Sequence, residues 1–366
     1  MESLQPTSSL RGESLSRRLH YLLAPCHFNI KTTRFSSAIL VIVVCTLCLI
    51  LFNLKSAIIS SSSIQPAGIS MSEIDALRQE RSRTKDSKLH LNSSGETLTA
   101  PHKSKTLPGV IIIGARKAGT RALLDYLNVH PQVMAARQEI HFFSNERNYG
   151  KGLRWYMNQM PFSTPDQLTM EKTPNYLVSS VTPARVHRMN SSVLLLLTLR
   201  HPVTRAISDY TQILANRDSK GLTSKDFAEL AINSRTGEVT ENYRPVWVST
   251  YHLHVARWLQ LFPLRQIHFV DGDRLITEPL TELRGVENFL GVQPFFTSDI
   301  IYFNTTRGFH CMRVPVNGTY RDSCLGKSKG RKHPPVEEWV KTKLNEYFHK
   351  HNERLFKLIG RRFDWT

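Results

Sequence analysis

The chain has 366 residues, 40% of them hydrophobic, and shows no repeat or heptad run, so we expect an ordinary packed core rather than a repeat array or a coiled coil. Lysine and arginine number 48 against 30 acidic residues, which gives a formal net charge of +18. Such a basic surface favours polyanionic ligands, namely nucleic acid, anionic lipid or sulfated polysaccharide. The charge alone does not distinguish these three classes.

An uncharged apolar segment runs from Ser36 to Leu54, and as a helix it would span roughly 28 Å, about the thickness of the hydrocarbon core of a bilayer. Positive charges lie mainly before it, so the positive-inside rule places residues 1–35 in the cytosol and the rest of the chain beyond the membrane. A cleaved signal peptide is the alternative, which the long lead and the lack of an A-x-A-like site disfavour. A domain on the far side of this anchor would not meet nucleic acid.

Two further features agree with this topology. Tripeptides of the N-x-S/T form follow the anchor at Asn92, Asn190, Asn304 and Asn317. Of the five cysteines, Cys311 and Cys324 form the pair that lies beyond the anchor. A disulfide between them is favoured over a zinc site, which would need more ligands at tighter spacing.

The composition changes along the rest of the chain. Residues 55–106 are Ser-rich and then charged, which predicts a stem, and a globular domain is predicted for residues 107–366. Buried-strand patterns occur at Gly109–Gly114, Ser192–Leu199 and Gln266–Leu275, and helical patterns occur at Thr120–Val129, Thr204–Leu214 and Ser249–Phe262. This alternation predicts a three-layer α/β domain with a mostly parallel sheet, which binds ligands at the carboxyl ends of its strands. A disulfide-tied loop or hairpin at Asp299–Cys324 and a C-terminal helix are expected to follow.

Two basic loops follow predicted strands. GARKAGTR (Gly114–Arg121) joins a strand to a helix, so its backbone amides, Lys117 and Thr120 could bind a phosphate. It is not a Walker A loop, because its lysine precedes the Gly-Thr instead of following the glycine. LRHPVTRAISDY (Leu199–Tyr210) places Arg200 at a strand end and Ser208 in the next helix. Two such loops suit a nucleotide with phosphates at two ends, although each alone also fits an ordinary surface turn.

Candidate acid–base residues lie between these loops. In the segment QEIHFF, Glu139 and His141 flank an isoleucine, so an extended backbone would project both to one side. They could form a general base with its supporting partner, although a surface glutamate and a core-edge histidine are the plainer interpretation. Lys172 precedes a Thr-Pro turn in EKTPNY, and a basic cluster occurs at Ser328–His333.

These motifs, in this order, resemble the heparan sulfate glucosamine 3-O-sulfotransferases. The resemblance runs from Leu107 to Thr366 and rests on RK-GTRALL, EIHFF, NYGKG, EK-P-Y, RAISDYTQ, VDGDRLI, SKGR-HP and GR-FDW. It implies a sulfotransferase fold with a P-loop-like nucleotide site, the sulfuryl donor 3′-phosphoadenylyl sulfate (PAPS), heparan sulfate as acceptor, no metal, and a type II protein of the Golgi membrane.

The resemblance also implies roles for individual residues. The 5′-phosphosulfate loop matches Lys117, Ala118, Gly119, Thr120 and Arg121; the 3′-phosphate contacts match Arg200 and Ser208; the edge of the nucleotide matches His310; and a closing loop matches Lys329, Gly330, Arg331, Lys332 and His333. The catalytic base matches Glu139, with His141 beside it, while Lys117 would stabilise the leaving phosphate. Acceptor contacts match Arg116, Ile140, Phe142, Phe143, Ser144, Asn145, Lys172, Thr173, Pro174, Asn175 and Gln212, and the disulfide matches Cys311 and Cys324.

Three residues depart from the family pattern. Ala118 stands where the family usually has glycine, Ser144 replaces an acid, and His310 replaces an aromatic tyrosine. They put acceptor preference and rate in question, so two alternatives stay open. One is a sulfotransferase for another glycan position or for protein tyrosine, and the other is a heparan sulfate binder that has lost turnover. A cytosolic nucleotide kinase is disfavoured by the anchor and by the absent Walker lysine.

Overall fold

The computed structural model describes residues 102–316, 319–324 and 332–365. The predicted cytosolic tail, the anchor, most of the stem, Asn92, Asn317 and the loop residues Lys329, Gly330 and Arg331 lie outside the described residues. Within the described ranges no helix combines the length and the apolar character that crossing a membrane requires.

The strands of the described residues are β1 (Ser104–Lys105), β2 (Val110–Gly114), β3 (Val133–Ala135), β4 (Phe162–Ser163), β5 (Leu168–Lys172), β6 (Leu194–Leu199), β7 (Ile267–Asp271), β8 (Ile301–Asn304), β9 (Phe309–Val316) and β10 (Thr319–Ser323). The α-helices there are α1 (Thr120–Leu127), α2 (Glu146–Tyr149), α3 (Gly152–Asn158), α4 (Thr182–Met189), α5 (Pro202–Asp218), α6 (Phe227–Ala231), α7 (Arg244–Val248), α8 (Tyr251–Leu259), α9 (Arg274–Thr277), α10 (Pro279–Leu290) and α11 (Glu338–Ile359). Short 3-10 turns occur at Pro174–Tyr176 and Leu264–Gln266.

The central sheet has the strand order β3-β5-β2-β6-β7, and every neighbouring pair in it is parallel. Consecutive residues of β2 point to opposite faces: Ile111 and Ile113 join one buried cluster, and Val110 and Ile112 join another. Helices α3, α4 and α8 cover the first face, while α1 and α10 cover the second. The predicted three-layer α/β domain with a parallel sheet is therefore confirmed.

The predicted elements match the observed ones within a few residues, with one correction. The third strand pattern extends to Leu275, but β7 ends at Asp271 and α9 begins at Arg274. Gly272 and Asp273 form the turn between them, because Asp271 accepts hydrogen bonds from the backbone N–H groups of Asp273 and Arg274 and so closes a turn rather than continuing the strand.

The segment predicted as a disulfide-tied hairpin is a three-stranded antiparallel sheet with the order β10-β9-β8. The sulfur atoms of Cys311 and Cys324 lie 2.10 Å apart, at bonding distance. Cys311 is buried on β9, and Cys324 follows β10. The pair thus joins β9 to the end of β10.

Candidate active site

The carboxyl ends of the parallel strands meet at one edge of the sheet, and the residues predicted from sequence follow these ends. Glu139 comes after β3, and Lys172 is the last residue of β5. Lys117 lies in the loop after β2, and Arg200 comes directly after β6. Because β2 lies between β5 and β6, the Lys117 loop emerges between the strand that carries Lys172 and the strand that precedes Arg200.

The loop after β2, Ala115–Gly119, is called the first loop below. Lys117 and Gly119 have positive φ angles of 69° and 100°, and such turns direct successive backbone N–H groups into an anion-binding concavity. A left-handed conformation costs a non-glycine residue roughly 1–2 kcal/mol, so the surrounding structure has to hold Lys117 in it. Ala118 does not share it, and its methyl group is fully buried in the core. The methyl of Ala118 therefore packs inward and does not obstruct the loop.

Two arginines flank the first loop. The Arg116 Nε donates to Asp209 Oδ1 at 2.7 Å. Arg121, in the first turn of α1, pairs with Asp125 at 2.9 Å and donates from Nη1 to the carbonyl of Arg137 at 3.0 Å. Arg121 thus connects the helix after the first loop to the segment that leads to Glu139.

The loop after β6, Arg200–His201, is called the second loop. Arg200 Nε donates to Asp273 Oδ1 at 2.7 Å, and the N–H of His201 donates to Asp273 Oδ2 at 2.9 Å. The Tyr251 hydroxyl donates to the carbonyl of Arg200 at 2.8 Å. Ser208 lies on α5 and is buried. Asp273 and Tyr251 therefore fix the direction in which the second loop leaves the sheet.

Glu139 lies in a compact cluster with the two predicted partners. Lys172 Nζ donates to Glu139 Oε1 at 2.5 Å, and His141 Nε2 lies 3.5 Å from Glu139 Oε2. Partial burial raises the pKa of Glu139, but hydrogen bonds from His141 and Lys172 and the charge of Lys172 outweigh this effect and lower the pKa to about 2. The carboxyl group is ionised, and 41% of the Glu139 side chain is exposed, so a substrate can reach it.

The expectation that Glu139 and His141 share one side of an extended segment is wrong in its geometry. His141 has a φ of 52°, and the chain turns over residues 142–144. Phe142 and Phe143 are both fully buried. Two consecutive side chains of an extended segment point to opposite sides, so both rings reach the core only because the chain turns. The turn still leaves His141 beside Glu139.

The predicted acceptor segment forms the rim next to Glu139. Arg185 of α4 donates to the carbonyl of Phe143 at 3.1 Å and pairs with Glu146 at 2.8 Å. The Asn145 side chain caps α2 by accepting from the N–H of Asn148 at 3.2 Å. The Ser144 hydroxyl oxygen is buried, and no hydrogen-bond partner for it occurs among the described residues. Contacts at Phe143, Asn145 and Glu146 therefore hold this segment, and the Ser144 hydroxyl takes part in none of them.

The other predicted acceptor residues differ in exposure. Ile140, Thr173 and Pro174 are buried. The Asn175 side chain accepts from Arg244 at 2.9 Å, and Gln212 of α5 donates to Asn216 at 2.9 Å. Ile140 and Pro174 are apolar and buried, so they shape the site rather than present a polar contact to a saccharide.

Sequence reasoning missed a buried carboxyl group below the cluster. Glu171 is fully buried and accepts hydrogen bonds from Tyr156 and Thr173, each at 2.9 Å. The Thr173 hydroxyl in turn accepts from the N–H of His141 at 3.4 Å. Burial raises the pKa of Glu171. Sequence reasoning singled out the neighbouring Lys172 instead, because the partner Tyr156 comes from α3, a separate segment of the chain.

A second missed group ties the first loop to α5. Arg205 is fully buried and pairs with Asp209 at 2.9 Å, one helical turn away. Arg205 also donates to the Ser249 hydroxyl at 2.7 Å and to the carbonyl of Arg116 at 3.1 Å. The charges of Arg205 and Arg116 overcome the burial of Asp209 and lower its pKa. The RAISDY pattern could have indicated this pair, because its Arg and Asp are spaced i,i+4 and so lie on one helix face.

The described end of the predicted closing loop lies near both basic loops. Burial and the positive charges of Arg200 and Lys117 lower the pKa of His333, which places all three residues in one electrostatic environment. Lys332 precedes His333 in the described part of this loop. His310 on β9 bonds through Nδ1 to the carbonyl of Ile276 in α9 at 3.1 Å. In the described part of the chain, no group of three or more histidine, cysteine or acidic side chains could hold a metal ion.

This arrangement combines an accessible ionised carboxylate with two cationic loops at one sheet edge. The carboxylate can take a proton from a nucleophile, and the cations can stabilise an anionic leaving group.

Residues 107–360 match the sulfotransferase domain family. A sulfotransferase from Alicyclobacillus acidocaldarius has a similar fold: the TM-score is 0.53 at 21% sequence identity, and the likeness covers 70% of this chain and 98% of that one. At this identity the likeness concerns the fold alone.

Two human relatives are more similar in sequence. Heparan sulfate glucosamine 3-O-sulfotransferase 5 of Homo sapiens is 49% identical over 274 residues, which are 75% of this chain and 78% of the relative. Heparan sulfate glucosamine 3-O-sulfotransferase 3B1 of Homo sapiens is 43% identical over 263 residues, which are 72% of this chain and 66% of the relative. The chain therefore belongs to the heparan sulfate glucosamine 3-O-sulfotransferase family of sulfotransferase domain proteins.

Proposed function

We propose that this chain transfers a sulfuryl group from PAPS to the 3-hydroxyl of glucosamine residues in heparan sulfate. The observation that carries the proposal is the cluster of Glu139 with Lys172 and His141 at the same sheet edge as the Lys117 and Arg200 loops. The names of the relatives at 49% and 43% identity supply the reaction and the acceptor, and the sulfotransferase domain family supports PAPS as the donor.

The two basic loops suit a donor with anionic groups at both ends. The backbone N–H groups and Lys117 of the first loop would hold the 5′-phosphosulfate, together with Thr120 at the start of α1. Arg200 and Ser208 would hold the 3′-phosphate. Burial and the charges of Arg200 and Lys117 lower the pKa of His333. This supports a closing role for residues 329–333 over a ligand that spans the two loops. PAPS supplies the sulfuryl group and leaves as adenosine 3′,5′-bisphosphate (PAP).

The transfer requires one proton movement and one bond exchange. Glu139 takes the proton of the acceptor hydroxyl as the oxygen of that hydroxyl forms a bond to sulfur. The bond from sulfur to the phosphate oxygen breaks, and its electron pair stays on that oxygen. Lys117 neutralises the charge that accumulates there. Lys172, which already donates to Glu139, keeps the carboxyl group oriented toward the acceptor.

Glu139 is a weak base toward the acceptor hydroxyl, as a carboxylate is in general. With a pKa of about 2, it is always ionised near neutral pH but is a weak base toward a resting sugar hydroxyl. It accepts the proton only as the forming bond to sulfur makes that hydroxyl acidic. Proton transfer and sulfur attack are therefore concerted in this mechanism.

We propose that the acidic saccharide is held by Arg116, Lys172 and Gln212 along the rim formed by residues 139–145. Arg116 binds Asp209 through Nε, which leaves its guanidinium fixed in direction for a carboxylate or sulfate. Product mapping on defined heparan sulfate oligosaccharides tests the acceptor. Sulfate at another glycan position, or transfer to a tyrosine peptide, would replace this assignment.

We also propose a type II protein of the Golgi membrane, with residues 1–35 cytosolic and residues 107–366 in the lumen. The charge asymmetry around Ser36–Leu54 supports this orientation, and the Cys311–Cys324 pair suits an oxidising compartment. Protease protection of intact microsomes, with N-glycan removal at Asn190 and Asn304 as a second readout, tests it. Digestion of the catalytic domain in sealed vesicles would contradict the orientation.

The decisive activity test replaces the proposed base. Glu139→Gln is expected to abolish sulfate transfer while PAP affinity stays near the wild-type value, because the amide cannot take the proton. Glu238→Gln, which alters an exposed carboxylate elsewhere, serves as the matched control and should keep full activity. Retained transfer by Glu139→Gln would show that another group is the base.

A further inference from the structure

We propose that the turn between β7 and α9 holds the first and second loops at the spacing that the donor requires. Gly272 and Asp273, which form this turn, are the positioning residues. This inference rests on the proposed function, because it takes these two loops as the sites of the donor phosphates. No motif assigned a role to this turn, which lay within a predicted strand.

Gly272 packs against the backbone of the first loop. A Cβ atom at this position would lie 2.2 Å from the carbonyl oxygen of Ala118 and 2.8 Å from that of Leu199. Both neighbours are backbone atoms, which cannot swing aside as a flexible side chain could. The N–H of Gly272 also donates to the Leu199 carbonyl at 2.6 Å. The first loop therefore occupies its place only if residue 272 has no side chain.

Asp273 holds the second loop from the same turn. Its two carboxylate oxygens bind two different donors, Arg200 Nε at 2.7 Å and the N–H of His201 at 2.9 Å. One bond directs the guanidinium, and the other fixes the backbone that carries it. The strand register also brings the turn and the second loop together, since Leu199, directly before the second loop, pairs with Asp271, directly before the turn. Consecutive residues of one turn thus contact both loops.

The turn is itself anchored in the core. Asp271 Oδ1 accepts from the N–H groups of Asp273 and Arg274, at 2.9 and 3.1 Å. The N–H of Asp271 donates to Glu282 of α10 at 2.9 Å. Asp271 and Glu282 are both 5% exposed. A buried and hydrogen-bonded support of this kind moves little, so the turn can act as a fixed spacer between the loops.

A fixed spacing matters because one ligand has to satisfy both loops. PAP carries phosphates at its 3′ and 5′ ends, and each has to meet its donors at hydrogen-bond distance. A displacement of ~1 Å in such a site can cost ~100-fold in rate. Gly272 sets the position of the 5′ site and Asp273 that of the 3′ site, so damage to either should weaken PAP binding in a distinguishable way.

The first variant is Gly272→Ala, with Gly285→Ala as its matched control. Gly285 lies on α10, and a Cβ there would meet only His268, at an ordinary 3.6 Å. Calorimetric titration of the full-length protein with PAP is expected to show a loss of affinity of ~10-fold or more for Gly272→Ala and no loss for Gly285→Ala. Equal affinities for both variants would overturn the role of Gly272.

The second variant is Asp273→Asn, tested with two ligands. An amide has one acceptor oxygen, so it cannot serve both Arg200 and His201. We expect weaker binding of PAP but unchanged binding of adenosine 5′-phosphosulfate, which lacks the 3′-phosphate. Gly272→Ala should weaken both ligands. A gain in PAP affinity for Asp273→Asn would mean that the carboxylate merely competes with phosphate, and this would overturn its positioning role.

These measurements separate the inference from the proposed function. If the wild-type protein does not bind PAP, the proposed function fails first. If the wild-type protein binds PAP, and both Gly272→Ala and Asp273→Asn bind it as tightly as the wild type does, the inference fails while the proposed function stands. Thermal unfolding of each variant controls for loss of the fold, and should Gly272→Ala not fold, the ligand pattern of Asp273→Asn decides.

Discussion

At the scale of single residues, Lys172 both orients Glu139 and weakens it as a base. Its ammonium group lies almost completely out of water, with 4% of the side chain exposed, while contacting the carboxylate at 2.5 Å. The same contact that fixes the direction of the proton acceptor lowers its pKa. The geometry thus favours orientation over basicity.

This balance predicts a shift in the pH profile of Lys172→Met. Methionine fills similar space without a charge, so the hydrogen bond and charge of Lys172 no longer lower the pKa of Glu139. The hydrogen bond from His141 stays, and the pKa should rise from about 2 toward its ordinary 4.5. Only the ionised carboxylate accepts a proton, so activity is lost as pH falls through this pKa. The acid limb of kcat/KM for sulfate transfer should therefore move to higher pH, together with a lower kcat.

The control for this shift is Lys341→Met, which removes an ammonium group paired with exposed Glu338 at 2.9 Å. Its pH profile should match that of the wild-type enzyme. An acid limb that stays in place for Lys172→Met would contradict the claim that Lys172 sets the pKa of the base.

A second residue-scale prediction concerns the buried pair of Arg205 and Asp209. Asp209→Asn leaves the fully buried guanidinium of Arg205 without its carboxylate, and breaking such a pair costs about 3–5 kcal/mol. We expect a loss of this size in the free energy of unfolding, measured by urea denaturation near neutral pH. Asp218→Asn, at the exposed end of the same helix, should change it little.

The pH dependence of stability gives an independent check on Asp209. Its pKa is lowered in the folded state, so its contribution to stability is fully present above the pKa of the unfolded chain, ~3.9, and is lost as pH falls through the folded-state pKa. The difference in unfolding free energy between wild type and Asp209→Asn should therefore shrink in acid. A difference that does not change with pH would exclude ionisation of Asp209 as its origin.

At the scale of elements, the sequence predicted β2, β6 and β7 of the central sheet and missed β3 and β5. The run GVIIIG marks β2, and SVLLLLTL marks β6, because both strands are buried on both faces. In contrast, β5 reads LTMEK. Its Glu171 and Lys172 are buried and bind Tyr156 and Glu139, which lie at least 15 positions away, so no local pattern indicates a strand.

The site residues also divide into those that the sequence predicted and those that it missed. Lys117 and Arg200 were predictable because they follow predicted strand ends, and Glu139 because its motif resembles that of a known family. Gly272 and Asp273 were not, because their importance comes from packing between β6 and β7. The conformation of His141 was missed for a related reason, since the burial of two consecutive phenylalanines could not be known before the fold.

The prediction at the scale of elements concerns the three-stranded sheet β10-β9-β8 and its disulfide. Cys311 and Cys324 are separated by 13 positions, and a crosslink over a loop of this size stabilises by about 3 kcal/mol in the chain-entropy account. The double variant Cys311→Ser/Cys324→Ser should lower the thermal midpoint of the protein. The double variant avoids a free thiol that could pair between molecules.

A functional effect should accompany this loss. The chain runs from Cys324 toward His333, whose pKa responds to Arg200 and Lys117. Loosening the end of β10 is therefore expected to weaken PAP binding moderately, measured well below the thermal midpoint. A lower midpoint with unchanged PAP affinity would show that the disulfide serves stability alone.

At the scale of the whole molecule, the net charge of +18 is larger than the donor site needs. A PAP molecule engages a few cations at the carboxyl edge of the sheet, whereas a long sulfated polysaccharide can interact with cationic residues beyond that edge. Charged ligands are drawn to such a surface over distances of about a Debye length, ~10 Å at 0.1 M salt. Donor and acceptor should therefore differ in their sensitivity to salt.

This difference is testable with heparan sulfate oligosaccharides of defined length. Between ~0.05 and ~0.3 M salt, screening weakens exposed charge pairs, so KM for the acceptor should rise, and it should rise more steeply for an octasaccharide than for a tetrasaccharide because the longer chain makes more ionic contacts. The salt dependence of PAP affinity provides the internal reference, since it does not depend on acceptor length. Equal salt slopes for both oligosaccharides would mean that the acceptor binds through the residues around Glu139 alone, and that the excess positive charge serves another purpose.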